Sequence, residues 1–341
     1  MPQPENDTAP HVAVLLTGGT IGSGGDDELD RLDYVDLAHV LTDEEAVPLY
    51  RFPPGVEVGV RRFSRIRSND VDEPFWFRLR ARILQILEEE PAPSGIVVAH
   101  GTATLEETAY VLHLTVPTQV PIVVTGAQRP PTSIASDAQT NLWNAVVLAA
   151  SPHARGQGVL VSLDERILSA RDVVKSSNHA LDTFQARDHG PLGDIDPYGN
   201  VFLERRVLRR HTTTSLFGAL FDHVTPPLPR VEIVPLWAGV GPEVIDRPIA
   251  SGAQGLVLAS MPPGMSPSTV EAAVDAAIAD GVVVVQGSRA VTGRLAHRRG
   301  LEQRGLLSTG TLSLPTARIL LSLCLAAGLD RNAIADVFAT H

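Results

Sequence analysis

Three segments rich in hydroxyls and glycine, together with one lysine, carry the chemistry open to this chain. The first runs Thr17-Gly18-Gly19-Thr20-Ile21-Gly22-Ser23-Gly24-Gly25. Its glycines let the backbone approach a ligand closely and expose Thr20 at a tight bend. It lacks the Gly-Lys-Ser/Thr ending of a phosphate-binding loop and the GxGxxG spacing of a dinucleotide turn, so a plain structural turn and a small-molecule site both stay open for it. The second segment is His100-Gly101-Thr102-Ala103-Thr104-Leu105-Glu106-Glu107. Thr104 and Glu107 fit the T-x-x-E pattern of a capping box. That cap leaves Thr102 unexplained, and a threonine just ahead of a helix N-terminus lies in the field of free backbone N–H groups, which stabilise an oxyanion. The third segment, Thr125-Gly126-Ala127-Gln128-Arg129-Pro130, leads to Ser136, Asp137 and Asn141. Asp137 is there either the N-cap of the next helix or part of a polar site.

A threonine hydroxyl becomes a nucleophile only beside a base, and a buried lysine kept neutral by desolvation is such a base. Lys175, in Ala170-Arg171-Asp172-Val173-Val174-Lys175, is the candidate, set against the commoner fate of a solvated surface lysine. Together these residue types support acyl transfer, in which a threonine oxygen attacks a carbonyl. Such a reaction requires neither a metal nor an organic cofactor.

These residues need a scaffold, and the hydrophobic pattern supplies one. Short runs of Val, Ile and Leu at Val12 to Leu16, Gly95 to Ala99, Pro121 to Val124 and Gly158 to Ser162 end in glycine or polar turns. Continuous apolar runs of this length read as strands buried on both faces, hence a parallel sheet. Helical patterns at Pro74 to Glu89, Leu105 to Leu114 and Ala138 to Ala150 provide the crossovers. In open parallel sheets ligands sit beyond the carboxyl ends of the strands, where the three hydroxyl-rich turns fall.

Thr225-Pro226-Pro227-Leu228-Pro229 is too rich in proline for a helix or a central strand and reads as a linker. Beyond it the alternation resumes, with Val231 to Pro235, Gly255 to Ala259 and Val282 to Gln286 as strands and Ser268 to Asp280 and Ala317 to Ala327 as helices. The expected organisation is α/β: a larger, doubly wound, mainly parallel N-terminal domain over residues 1–222, a linker over 223–230 and a smaller C-terminal α/β domain over 231–341.

Composition narrows the function classes. The 341 residues, 44% hydrophobic, suffice for two cores. A formal charge of -11 without a Lys/Arg stripe argues against nucleic acid or an anionic membrane as partner. The single cysteine, Cys324, lies in an apolar run and reads as core, which rules out an intrachain disulfide and a multi-cysteine metal site. Met1 to Pro10 is polar rather than basic then apolar, and no apolar run reaches the ~20 residues that span a bilayer, so a cytoplasmic location is expected.

Taken together, the segments resemble the bacterial-type L-asparaginase/glutaminase family, whose members carry TGGTI, HGTDTLEETA, TGAxRP and ARDVxK in this order. Here they read Thr17 to Ile21, His100 to Ala109, Thr125 to Pro130 and Ala170 to Lys175, and Ser308-Thr309-Gly310-Thr311-Leu312 is similar to a late SGTL. The resemblance implies a small-molecule amide substrate and a two-domain α/β chain assembled as a homodimer or homotetramer, each site completed by the neighbouring chain. It implies that Thr20 is the nucleophile, that Thr102 and Lys175 form a second catalytic group, and that a lid tyrosine, best placed at Tyr34, assists. Ser68 and Asn69, with Gly101 and position 103, fall where substrate is gripped.

Three departures bear on specificity. The family's aspartate after the second threonine, which contacts the substrate's α-ammonium, is Ala103 here. The GxGNGN turn is replaced by Ser260-Met261-Pro262-Pro263-Gly264-Met265, and the late loop that often carries an acidic residue into the neighbour's site reads Arg294-Leu295-Ala296-His297-Arg298-Arg299. Two substrates follow: L-asparagine itself, or a related amide without a free α-ammonium, such as a succinamate-like, N-substituted or cyclic one. Two rivals of another kind are a non-catalytic sensor on the same scaffold, opposed by retention of Thr20, Thr102 and Lys175, and the glutaminase subunit of a tRNA-dependent amidotransferase, opposed by the position of the first motif near the start of the chain.

Overall fold

The computed structural model describes residues 9–34, 40–89, 91–296 and 298–341. Fourteen strands are present among them: β1 (His11–Gly18), β2 (Glu57–Ile66), β3 (Gly95–Ala99), β4 (Ile122–Thr125), β5 (Val159–Leu163), β6 (Arg166–Ser169), β7 (Val173–Lys175), β8 (Phe184–Ala186), β9 (Gly193–Ile195), β10 (Val201–Leu203), β11 (Val231–Pro235), β12 (Gly255–Ser260), β13 (Val283–Ser288) and β14 (Leu307–Ser308). The principal helices are α1 (Glu73–Leu87), α2 (Leu105–Thr115), α3 (Ala138–Ala150), α4 (Glu243–Ala250), α5 (Ser268–Ala279), α6 (Leu314–Ala326) and α7 (Arg331–Thr340).

Eight strands form the large sheet in the order β10-β9-β6-β5-β4-β3-β1-β2. The block from β2 to β5 is parallel, and β6, β9 and β10 extend it antiparallel. Successive side chains of a strand point to opposite faces, and β1 shows the result. Val12, Val14 and Leu16 join the apolar layer under α3, whereas Ala13 and Leu15 join the layer under α1 and α2. Both faces are thus covered by helices, which explains why β1, β3, β4 and β5 read as unbroken apolar runs rather than alternating ones.

The small sheet, β11-β12-β13-β14, is parallel throughout. α4 and α5 pack on one side of it around Ile245, Val270 and Val274. Its other side, through α6, merges with the core of the large sheet: Val257, Val285, Leu320 and Cys324 belong to the same apolar cluster as Leu15, Val98 and Tyr110. An ion pair braces this face, Arg318 to Glu107 at 3.2 Å, and a second, from the buried Arg80 to Asp222 at 3.0 Å, ties α1 to residues 220–222.

β2, which forms the open edge of the large sheet, carries Arg61, Arg62 and Arg65 on a half-buried strand. No apolar run announces it. No helix of the described residues is long and apolar enough to cross a membrane.

Candidate active site

The site is built where β2, β1, β3 and β4, adjacent in that order, release their carboxyl ends. β1 runs into the turn that bears Thr20, β3 into the turn that bears Thr102, and β4 into Thr125 to Pro130. Glycine is required at the contacts between these turns. A Cβ on Gly19, whose φ is +78°, would lie 2.1 Å from the Gly101 Cα, and one on Gly101 would lie 2.6 Å from the Ser68 Cβ. The turns of Thr20, Thr102 and Ser68 are therefore in direct contact. A Cβ on Gly126 would lie 2.6 Å from the His100 carbonyl oxygen, so the fourth turn is seated against the second in the same way.

Two hydroxyl pairs stand on these turns. Thr20 Oγ1 is 2.7 Å from Tyr34 Oη. Tyr34 is buried, with 7% of its surface exposed, and burial raises its phenol pKa above the ordinary value, opposed by the Thr20 hydrogen bond. On the second turn, Lys175 Nζ donates to Thr102 Oγ1 at 2.7 Å. Lys175 comes from β7, the first strand of a hairpin with β8 that stands apart from the main sheet. Burial pushes its pKa below the ordinary lysine value, partly countered by the Glu106 carboxylate. A lysine disposed to lose its proton beside a threonine hydroxyl is a base-and-hydroxyl unit.

Residues that spacing alone does not connect complete the frame. His100 is wholly buried: burial lowers its pKa to about 4, so the ring is neutral at pH 7. Its Nδ1 is 2.7 Å from the Gly101 carbonyl oxygen and its Nε2 is 3.1 Å from Thr108 Oγ1, which also receives Trp76 Nε1–H at 3.0 Å. Since the Gly101 carbonyl can only accept, Nδ1–H donates to it, and Nε2 of the neutral ring accepts from the Thr108 hydroxyl. That chain fixes the carbonyl next to Thr102. Glu106, in the first turn of α2, accepts the Lys175 backbone N–H at 2.6 Å, and burial raises its carboxyl pKa to about 7.

The capping box expected at Thr104 is corrected, and of the two roles open to Asp137 the N-cap is not the one found. Thr104 does stand at the N-cap of α2 but makes no side-chain cap; its hydroxyl donates instead to the Ser68 carbonyl at 2.6 Å, while Glu107 reaches across to Arg318. The demand for tying the Ser68 turn to the Thr102 turn overrides the local cap. Asp137 likewise makes no N-cap bond for α3. Its carboxylate receives the backbone N–H groups of Gln128 and Arg129 and the amide of Asn141, all within 3.1 Å, and so closes the fourth turn.

Of the candidate substrate-binding residues, Gly101 and Ser68 lie in the contact region, and Ser68 Oγ accepts the Ala103 N–H at 3.3 Å. Asn69 does not join them: it is exposed and its amide is 3.3 Å from Asp70 Oδ1. Ala103 is exposed and lines an open groove with Glu106, Lys175 and Ser176. The Met261 turn is held against the late basic loop by Arg298, whose Nη2 donates to the Gly264 carbonyl at 2.6 Å. His297 of that loop lies outside the described residues.

The comparisons with known proteins bear on this arrangement. Residues 11–208 match the family model "Asparaginase, N-terminal" and residues 230–338 match "Glutaminase/Asparaginase C-terminal domain". The chain belongs to the asparaginase family. It is 33% identical over 335 residues to L-asparaginase 2 of Bacillus subtilis, covering 98% of this chain and 87% of that protein. It is equally 33% identical to a probable periplasmic L-asparaginase of Haemophilus influenzae, over 96% of this chain and 92% of that one. The crystal structure of a probable cytoplasmic L-asparaginase from Campylobacter jejuni superposes with a TM-score of 0.85 at 30% identity, covering 97% of this chain and 100% of the other. Membership of the asparaginase family makes this protein a hydrolase of carbon–nitrogen bonds in amides, and its two α/β domains are those of the family.

Proposed function

We propose that this asparaginase-family protein hydrolyses the carboxamide of a small molecule through Thr20. The observation that carries the proposal is the pairing of two threonine hydroxyls with two polar partners, Thr20 with Tyr34 and Thr102 with Lys175, each at 2.7 Å, on turns whose backbones touch. Thr20 Oγ1 bonds to the carbonyl carbon while the C–N bond breaks, and ammonia or an amine departs with the proton released by the hydroxyl. Lys175, acting through Thr102, relays protons, and backbone N–H groups of the glycine turns stabilise the oxyanion. Water then cleaves the ester, giving the carboxylic acid and restoring Thr20. No cofactor takes part.

Ala103 favours a second reading of the substrate. Position 103 offers a methyl group where the family's aspartate would meet an ammonium, and the late loop from Arg294 to Arg299 is basic in sequence. A substrate without a free α-ammonium, succinamate-like, N-substituted or cyclic, suits this surface better than L-asparagine does. The working form is a homodimer or homotetramer with sites shared between chains, located in the cytoplasm.

Ammonia release decides between the readings when measured on L-asparagine, D-asparagine, L-glutamine, succinamate and N-acylated asparagines beside a Thr20→Ala control. The expected outcome is turnover of members lacking the ammonium, abolished in the control. Turnover of L-asparagine at rates ordinary for an amidohydrolase leaves the threonine chemistry standing and removes the altered specificity. Silence across the panel favours a sensor. Because position 103 is exposed, Ala103→Asp folds without a clash and restores a charged partner; at about 1.5–3 kcal/mol for a hydrogen bond to a charged group, it raises kcat/KM for L-asparagine roughly ten- to a hundredfold.

A further inference from the structure

Beyond the hairpin that bears Lys175, loops of the large sheet meet two loops of the small one around a cavity of about 280 Å³. Its charge is opposite to that of the chain as a whole. Arg171, Arg206, Arg209 and Arg294 line it, and the carboxylate of Asp172 is the acidic group among its lining residues. That carboxylate is already engaged, receiving Arg171 Nη1 at 2.7 Å and lying 3.4 Å from His189 Nδ1. Arg171 is buried; its Nε–H donates to the His341 carbonyl oxygen at 3.0 Å and its Nη1 also donates to Thr311 Oγ1 at 3.2 Å. Among the described residues, Arg206, Arg209 and Arg294 have no ion-pair partner.

Arg209 is half-buried and Arg206 and Arg294 are exposed, so solvent screens part of their mutual repulsion, and a counter-charge in the cavity relieves the rest. The repulsion registers on Arg209, which burial and the neighbouring Arg171 and Arg294 push below the ordinary guanidinium pKa. Guanidinium groups facing a cavity of this size match the oxygens of a carboxylate or phosphate, to which arginine donates two parallel N–H bonds. Thr311 adds a hydroxyl at the same wall.

We propose that this cavity binds a small dianionic oxyanion, gripped by Arg209 and Arg294 over the Arg171–Thr311 floor. The site is distinct from the threonine site. It is adjacent in sequence to the element that presents Lys175, because Asp172 directly precedes β7.

Isothermal titration calorimetry at constant ionic strength, with succinate in one arm and inorganic phosphate in the other, tests the proposal on the full chain. Saturable binding that is weakened in Arg209→Gln places the ligand in this cavity; seen with succinate alone it identifies a dicarboxylate site, and with phosphate alone a phosphate site. Arg209→Gln is expected to weaken the binding at least tenfold, and Arg209→Lys, which keeps the charge but loses the two-pronged donor, to restore only part of it. Absence of saturable binding in both arms overturns the proposal, as does equal affinity in wild type and Arg209→Gln, which would place the ligand elsewhere. Because the readout is binding, a failure of the proposed amide hydrolysis leaves the result interpretable.

Discussion

Thr20 and Thr102 have different partners, and the partners assign different consequences to their removal. Thr20→Ala is expected to lower kcat by up to about 10⁶-fold, the magnitude seen when a covalent nucleophile is deleted, with an unchanged circular dichroism spectrum. The Thr102–Lys175 pair shows instead in the pH profile. A base must be neutral to accept a proton, so activity rises as pH passes the depressed pKa of Lys175. Glu106→Gln removes a charge that favours the lysine ammonium, and the rise in kcat then begins at lower pH. Both threonines and the lysine stand in short, recognisable segments, whereas Tyr34 was reachable only through the family resemblance. The sequence did not expose His100 or Glu106 as supports, since their partners Trp76, Thr108 and Lys175 are joined to them only by folding.

Elements bring these groups together through contacts between backbones. Gly19→Ala places a Cβ 2.1 Å from the Gly101 Cα at a φ of +78°, so the turn has to move. Loss of activity together with a lowered melting temperature is expected. His100→Leu leaves the Gly101 carbonyl and the Thr108 hydroxyl without their partner, at a cost of about 1–3 kcal/mol in denaturant unfolding. Glu106 adds a pH dependence of stability. Its folded pKa of about 7 lies above the unfolded carboxylate value, so its contribution is complete below the unfolded pKa and is lost as pH rises through about 7. Thermal unfolding of Glu106→Gln followed across that range lacks this slope. The buried strands were legible as apolar runs, but β2 was not, because an edge strand carrying Arg61, Arg62 and Arg65 presents no such run. Nor were β6 to β10, at three or four residues each, long enough to impose a period.

For the whole molecule, the merged core argues against independent motion of the two sheets, since α6 packs on the small sheet and shares an apolar cluster with α2. A single cooperative unfolding transition is the expected calorimetric result, and two resolved transitions would refute it. Arg318, from the C-terminal region, reaches Glu107 on α2, the helix whose preceding turn bears Thr102. The proposed assembly predicts activity that falls on dilution in step with dissociation seen by analytical ultracentrifugation. The contact between Gly19 and Gly101 has a consequence for how such a protein can diversify. Because the two hydroxyl-bearing turns meet main chain against main chain at Gly19 and Gly101, their closest approach involves no side chain, and Ala103 stands at the rim of that joint rather than within it. Substrate choice and reactive geometry are therefore separable variables: a lineage, or a protein engineer, can rewrite the rim one residue at a time while the machinery beneath keeps its calibration.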